Sequence, residues 1–491
     1  MAEGRAAAQV TPVLLAALIA CVAALVPMGQ RLLQQNPLEP WEAAITVEGA
    51  RRAEALPVYV SAATDAPSQG RATHMYGPGL QEILGVVFRA IEPDVRVARL
   101  LSLIAAAALL GLVLRMTQAG VAVATFLPYA ALFLGVDGLT GGYFVNGKPD
   151  LLALALAAAA VAVHLRALAR HSVAGVGAAA LLAVAALLCK QNLAALVLAV
   201  PAGYAGNVLL RREPLRLRTL LLAAAPSLAV AGAVGILRFG FPLAFGYLIE
   251  LPGACPIYPS RWWGFAAAAL LSPPVLLLLA AMAAGRARAL AGCETAYWGA
   301  ALLVAFAMST LSAAKLGGGF NSLLCFEAVA CAAAIRALER WDWTRHLGTP
   351  RPGYVAAAAL LAAAFPHPGN THPVPHYADH SADYAEAAGV IAGLQGAVLS
   401  PEDPTLLLRP GTDPGWNIYL EADRSILSGA RHGDRVARDE RALLGAATAV
   451  VDVQFGFVGA DYDLIRPESL SSLGFRRTWS NASYALWQRP G

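Results

Sequence analysis

The stretch Gly147-Lys148-Pro149-Asp150-Leu151-Leu152-Ala153-Leu154-Ala155-Leu156 decides the fold. A lysine and an aspartate stand near its head, and the apolar run continues to Arg166, with Arg170 just beyond. That pattern reads as a membrane-crossing helix, which needs about 20 residues and tolerates roughly 17. Its two ends carry different cations. The chain has only three lysines, Lys148, Lys190 and Lys315, against 33 arginines, and each lysine lies at the end of an apolar run on one predicted side. The arginines crowd the other side, where cations at membrane-helix ends are normally retained, the cytoplasmic face. Lysine is a compact point charge suited to phosphate, so three on the disfavoured side read as an anion site at the outer mouth.

Composition carries this pattern to the whole chain. With 491 residues, 58% apolar and 14% charged, and a mean hydropathy of +0.57, it is an integral membrane protein. A soluble domain that apolar would expose aggregating patches. The net charge of +4 is small and no basic stripe interleaves with aromatics, so nucleic acid is excluded as a partner. The six cysteines make no disulfide framework, since Cys21, Cys189, Cys325 and Cys331 sit in or beside apolar runs. Leu18-Ile19-Ala20-Cys21 mimics a lipoprotein cleavage site, but the apolar run continues through Val26 and reads as a retained first span.

Eleven spans are expected, at 11–29, 97–114, 119–136, 151–166, 173–189, 193–210, 219–237, 262–284, 296–313, 320–336 and 353–365. Arg115, Arg166, Arg170, Arg211, Arg212, Arg216, Arg218, Arg286, Arg288, Arg336, Arg340 and Arg345 all fall in alternate short connections, which are therefore cytoplasmic. The opposite side receives the 30–96 segment, the 137–150 loop, Lys190, the 238–261 loop, Lys315 and everything after about 366. Within 30–96, residues 41–56 carry a helical stripe (Trp41, Ala44, Ile45, Glu48), and 79–91 look like a second helix lying in the interface.

Beyond the last span the composition changes. Residues 366–380 are rich in Pro and His, a linker by composition. A helix (381–395), a strand (404–409), a helix (434–446), a strand (447–453) and a terminal pair (474–479, 483–488) then read as a small outer α/β domain. The chain thus divides into a membrane part, 1–365, and a linker with a C-terminal domain, 366–491.

Glu39, Glu42 and Glu48 follow the first span. Carboxylates just above a bilayer can take a proton from a hydroxyl acceptor, because partial desolvation raises their basicity. Glu48 has Arg52 one helical turn on and reads as half of an ion pair, whereas Glu42 has no partner at that spacing. Asp137 and Asn146 lie in the second outer loop, within reach of sugar hydroxyls. Gly317-Gly318-Gly319 beside Lys315 reads as an anion-binding nest or as a plain helix break. Glu327, two turns inside the tenth span, is a functional candidate as an intramembrane carboxylate, or is protonated or paired with a hydroxyl. Arg238 and Arg261, with Tyr247, Tyr258, Trp262 and Trp263, read as an interfacial belt. His367, His372, His376 and His380 are spaced by prolines, which favour a linker over a metal site.

The order of these features resembles one family. "Pro-Trp-Glu42-Ala-Ala-Ile-Thr-Val-Glu48", "Leu56-Pro57-Val58-Tyr59", "Met75-Tyr76-Gly77-Pro78", "Gly147-Lys148-Pro149-Asp150", "Lys190-Gln191-Asn192" and "Lys315-Leu-Gly-Gly-Gly-Phe-Asn321" are similar to the polytopic GT-C glycosyltransferases. These take sugars from polyprenyl-phosphate carriers, and include protein O-mannosyltransferases and lipid A aminoarabinose transferases. The resemblance covers roughly 11–336. It implies a helical membrane module and an acidic catalytic base after the first span, matching Glu42. The family more often has Asp, frequently paired with Glu, so Glu39 stays open as the base. Lys148 and Asp150 match a basic residue and an Asp at the head of the fourth span. Lys190 and Lys315 match its phosphate-contacting cations, with Tyr76, His74, Asn321 and Asp137 as further substrate contacts.

The resemblance and the residues together imply an inverting glycosyltransferase of a bacterial inner membrane, with its site and C-terminal domain on the periplasmic side. Its partners would be a polyprenyl-phosphate-linked donor, membrane lipids, and a glycan, lipid or protein acceptor. A carboxylate base of this kind requires no metal cofactor, and a divalent ion stays open. The competing readings are a flippase for lipid-linked sugars, which would place polar groups at the midplane, and a scaffold in an envelope-polysaccharide complex.

Overall fold

The computed structural model describes residues 2–59, 76–119, 123–284, 293–315, 318–341, 379–408, 441–442, 444–454 and 467–490. Its apolar runs are rich in Ala and Leu, the strongest helix formers, and in lipid only a helix satisfies its own backbone. In chain order they give α1 (Ala2–Leu33), α2 (Pro40–Ala53), α3 (Gly79–Phe88), α4 (Val95–Thr117), α5 (Val123–Leu139), α6 (Asp150–Ala169), α7 (Val173–Cys189), α8 (Ala199–Arg211) and α9 (Leu217–Gly240). Two short turns, α10 (Pro242–Phe245) and α11 (Leu251–Ala254), lead to α12 (Pro259–Leu270), α13 (Pro273–Ala284), α14 (Cys293–Ala314) and α15 (Leu324–Trp341).

The first ten expected spans each fall on these helices, and the eleventh, 353–365, lies outside the described residues. Seven of the described helices are long and apolar enough to cross a membrane, or eight if α12 and α13 form one broken span. That pair bends by 49° at Leu271-Ser272-Pro273-Pro274, where two prolines in succession withdraw backbone donors. Local chemistry sets the helix ends. The Asp94 side chain accepts from the Arg96 amide to cap α4, and Ser172 accepts from the Gly175 amide to cap α7.

Burial sorts the bundle. In the tenth span, Phe320–Arg340, 83% of the apolar window is buried, so α15 is central. Only 11% of the α9 window is buried, and Leu221, Leu228, Ile236 and Phe239 project from it as the bundle's outer wall. The helix expected at 41–56 is α2, but it is largely covered. Ile45 packs with Tyr76, Leu80, Leu84 and Phe88 around α3, so the stripe faces protein as well as the interface.

The C-terminal region contributes one four-stranded sheet of order β1 (Val398–Leu399), β2 (Ala449–Val453), β4 (Tyr484–Gln488), β3 (Arg476–Ser480). β1 pairs parallel with β2, and the other pairings are antiparallel. Alternation along β4 sends Tyr484 and Leu486 to one apolar cluster and Ala485 and Trp487 to another. The strand expected at 404–409 is instead a 3-10 turn, Pro404–Leu407, capped by the Asp403 side chain on the Thr405 amide. Pro404 cannot donate to a ladder and favours the first turn of a helix. Most of the helix expected at 434–446 lies outside the described residues.

The sheet region packs on the membrane part. The helix α16 (Ser381–Ala392) meets the end of α1, where the Gln35 amide donates to Ser381 Oγ at 2.8 Å and the His380 amide donates to Asn36 Oδ1 at 3.1 Å.

Candidate active site at the heads of α2 and α6

The site grows from one buried guanidinium. Arg99, in the first turns of α4, has no exposed side-chain surface. Its Nε and Nη2 donate to the two Glu42 oxygens at 2.8 and 2.7 Å, a bidentate pair. Its remaining donors reach the carbonyls of Arg31, Gln34 and Asn36, stapling the exit of α1. Glu42 also accepts from the Leu38 amide at 2.6 Å and the Gly147 amide at 2.9 Å. Gly147 leaves room for this contact, since a Cβ there would stand 3.0 Å from Glu42 Oε1 and 2.8 Å from Ala98 Cβ.

Glu42, expected to have no partner, therefore has four donors and no exposed surface, and it ties α1, α2, α4 and the 140–149 loop together. Asp137 is engaged in a similar way: its carboxylate pairs with Arg31 at 2.7 Å and accepts from the Phe144 amide at 2.6 Å, which shapes the loop. Glu48 does not pair with Arg52. It accepts from Gln81 on α3 at 3.1 Å, while Arg52 turns to Glu82 at 2.9 Å, because α3 packs over that side of α2.

The second acid is placed differently. Glu39 is the N-cap of α2, in extended backbone, with no side-chain bond to its own helix. Its carboxylate instead reaches Lys148 Nζ at 2.7 Å and accepts from the Asn146 amide group. Lys148 also donates to the Tyr143 hydroxyl at 3.1 Å. Burial alone would lower the Lys148 ammonium, but Glu39, Tyr76 and Asp150 outweigh it and hold its pKa above the ordinary lysine value. Burial pushes the Tyr76 and Tyr143 phenols up, keeping both as neutral hydroxyls.

A second ion pair lies beside the first. Lys190 closes α7 and its Nζ meets Asp150 Oδ1 at 2.5 Å in the first turn of α6. The same ammonium lies 5.1 Å from the centre of the Tyr76 ring, which Trp41 meets edge-on at 6.4 Å. The Gly77 amide donates to the Cys189 carbonyl, and a Cβ on Gly77 would fall 1.9 Å from the Leu188 carbonyl oxygen. Only glycine lets the Tyr76-Gly77-Pro78 turn lie this close to Lys190. Two buried acceptors in the cluster, Asn146 Oδ1 and Asp150 Oδ2, have no hydrogen-bond partner among the described residues. A buried acceptor left unmet is costly, so both can accept from a polar group brought to the cluster.

Lys315 does not join this cluster by any described contact. Its Nζ donates to the Pro252 carbonyl at 2.8 Å, and Arg261 donates to its carbonyl and to that of Gly318. The expected convergence of three lysines is thus a convergence of two. The segment following α11 captures the third through the Ile257–Lys315 bridge. Asn321 lies in the 3-10 turn Phe320–Leu323 that opens α15. Glu327 is 2% exposed, on the central helix. His74, Gly317, His367, His372 and His376 lie outside the described residues.

Arg99, Arg31 and Tyr143 escaped the sequence reading. The signal was present for the arginines. Both sit with the lysines, opposite the arginine-rich connections, Arg99 at the head of its span and Arg31 at the exit of the first, and a cation away from that arginine layer calls for a buried partner.

No protein-family profile matches the chain, and no curated protein matches it. Among solved structures, ArnT from Cupriavidus metallidurans bound to undecaprenyl phosphate is similar with a TM-score of 0.59 at 12% identity, covering 96% of this chain and 97% of that one. Its apo state gives 0.52 at 13% identity with the same coverage. The oligosaccharyltransferase of Archaeoglobus fulgidus in the apo form gives 0.47 at 12% identity, covering 91% and 69%. The fold is therefore of the class seen in ArnT, a polytopic helical membrane module with a small C-terminal sheet, as the sequence led us to expect.

Proposed function

We propose that this protein is a membrane glycosyltransferase that moves a sugar, a hexosyl or pentosyl group, from a polyprenyl-phosphate carrier to an acceptor hydroxyl. The observation that carries this reading is the paired cluster Lys148–Glu39 and Lys190–Asp150 around Tyr76 at one end of the bundle. The fold likeness to a protein solved with undecaprenyl phosphate supports the donor class. Arginine-rich connections at the other end support an inner-membrane location, with the cluster and the C-terminal domain on the periplasmic side.

Glu39 takes the role first assigned to Glu42. Its side chain is 12% exposed, against 4% for Asp150 and none for Glu42, so it alone of the three meets an incoming hydroxyl. The acceptor oxygen attacks the anomeric carbon opposite the phosphate and its proton passes to Glu39. The bond from that carbon to the phosphate oxygen breaks, and its electron pair leaves with the lipid phosphate. Displacement of this kind inverts the anomeric centre. Lys148 and Lys190 meet the charge that develops on the leaving phosphate, a fixed electrostatic term worth about 10²–10³ in rate per group. Asn146 and Asp150 accept from sugar hydroxyls.

The test is complementation. Mass spectrometry of envelope glycans and lipids from a strain lacking the protein should show one sugar missing. Wild type should restore it, and Glu39→Gln and Lys148→Met should not, although both reach the membrane in normal amounts. Full restoration by Glu39→Gln would end the assignment of the base.

A further inference from the structure

The opposite ends of α4 and α6, with α14 and α15, line a cavity. It measures about 660 Å³ and is lined by Arg115, Met116, Leu165, Arg166, Trp298 and Arg336, among others. It is far from the cluster at Glu39. Asp150 and Arg166 lie sixteen residues apart on α6, a rise of about 24 Å. The cavity thus opens at the opposite membrane face, in the arginine-rich layer.

Its charges are unequally committed. Arg336 is used by the fold, donating to Glu294, the Thr117 carbonyl and Gln118 Oε1. Arg115 and Arg166 are exposed at its edge, and neither has an ion pair or side-chain hydrogen bond among the described residues. Away from them the walls are apolar, formed by Val161, Ala199, Val200 and Ala301, and they reach past the start of α8 toward the middle of the bundle. Two uncommitted guanidinium groups over an apolar recess match an amphiphile with an anionic head. Arginine suits this ligand because its planar fork meets phosphate oxygens bidentately. The recess has the size usual for a small-molecule site, about 300–1,000 Å³.

We propose that this cavity binds the phosphate head and first chain segment of an anionic phospholipid from the inner leaflet, with Arg115 and Arg166 holding the phosphate. Such a lipid would bridge the ends of α4, α6 and α14, and α4 and α6 carry Arg99 and Asp150 at their other ends. The site is independent of the transfer reaction and stands whether or not that assignment does.

The experiment uses the full chain, delipidated in neutral detergent and titrated with phosphatidylglycerol, phosphatidylcholine or inorganic phosphate, read by native mass spectrometry and thermal melting. Phosphatidylglycerol should bind stoichiometrically and raise the melting temperature, while phosphatidylcholine should not do so at equal concentration. Arg115→Gln/Arg166→Gln should weaken binding on the order of tenfold or more, since a basic residue near an anionic headgroup contributes about one factor of five. Arg115→Lys/Arg166→Lys should retain most of it. Ala301→Phe, which keeps both charges but fills the apolar recess, should abolish it. Equal stabilisation by the two phospholipids would overturn the proposal, as would unchanged binding in the double glutamine variant. A full shift from inorganic phosphate alone would instead make this a free-anion site and remove the lipid.

Discussion

The residue that organises the candidate site is Arg99, which touches no part of the proposed chemistry. It satisfies Glu42 bidentately and three backbone carbonyls from 31 to 36. Removing one partner of such a buried pair leaves an uncompensated charge, at a cost of about 3–5 kcal/mol. Arg99→Ala and Glu42→Ala are therefore both expected to lower detergent-solubilised melting temperatures sharply. Glu39→Gln keeps an acceptor beside Lys148 and removes only the charge of a partly exposed group with Asp150 still nearby, so it should melt well above either alanine variant. Near-normal melting of Glu42→Ala would show that the pair is not structural and would return Glu42 to the catalytic candidates. A loss of transfer in that variant is uninformative on its own.

At the scale of the element, two of the three acids of α2 and its N-cap, Glu39 and Glu48, have opposed fates. The N-cap, Glu39, escapes the helix and reaches a lysine, while Glu48 is trapped between α2 and α3. Burial raises the Glu48 carboxyl from its ordinary 4.5 to about 8, against the opposing pull of Gln81 and Arg51. The folded protein then holds a proton that the unfolded chain has released. Stability from this group is complete below about pH 4.5 and falls as pH climbs toward about 8. Glu48→Gln keeps the contact with Gln81 and removes the titration. It should melt higher than wild type at pH 8, and the difference should vanish at pH 4.5. A constant difference across that range would show that Glu48 is charged within the fold. The helical period of α2 was readable from its stripe, but the partner of Glu48 was not, because α3 arrives from thirty residues away and displaces Arg52.

At the scale of the molecule, the asymmetry of cations makes the orientation testable. In a cysteine-free background, a cysteine at Glu250, exposed near the Lys315 end, should react with a membrane-impermeant thiol reagent in intact cells. One at Arg212, exposed after α8, should react only once the membrane is opened. The reverse pattern would invert the protein and place the cluster in the cytoplasm. The same asymmetry separates two anion-facing regions: an outer cluster of lysines paired with carboxylates, and an inner cavity edged by unpaired arginines. The inner cavity was not legible beforehand. Its arginines were assigned to orientation alone, and the space between helices depends on how the bundle packs.

What the sequence determined by itself was local: apolar runs of spanning length, the split of lysine-bearing from arginine-bearing ends, and a change to α/β composition near 366. These are local quantities, set by hydropathy and charge within a window of about twenty residues. It also placed Lys148, Asp150 and Lys190 at helix ends on one side. Tertiary structure alone decided which acid is spent and which is available. Glu39 and Glu42 lie three residues apart in one helical start, and their difference comes from Arg99, fifty-seven residues from Glu42. A buried guanidinium must be matched by whatever carboxylate the packing brings to it, and packing is not a property of the local chain.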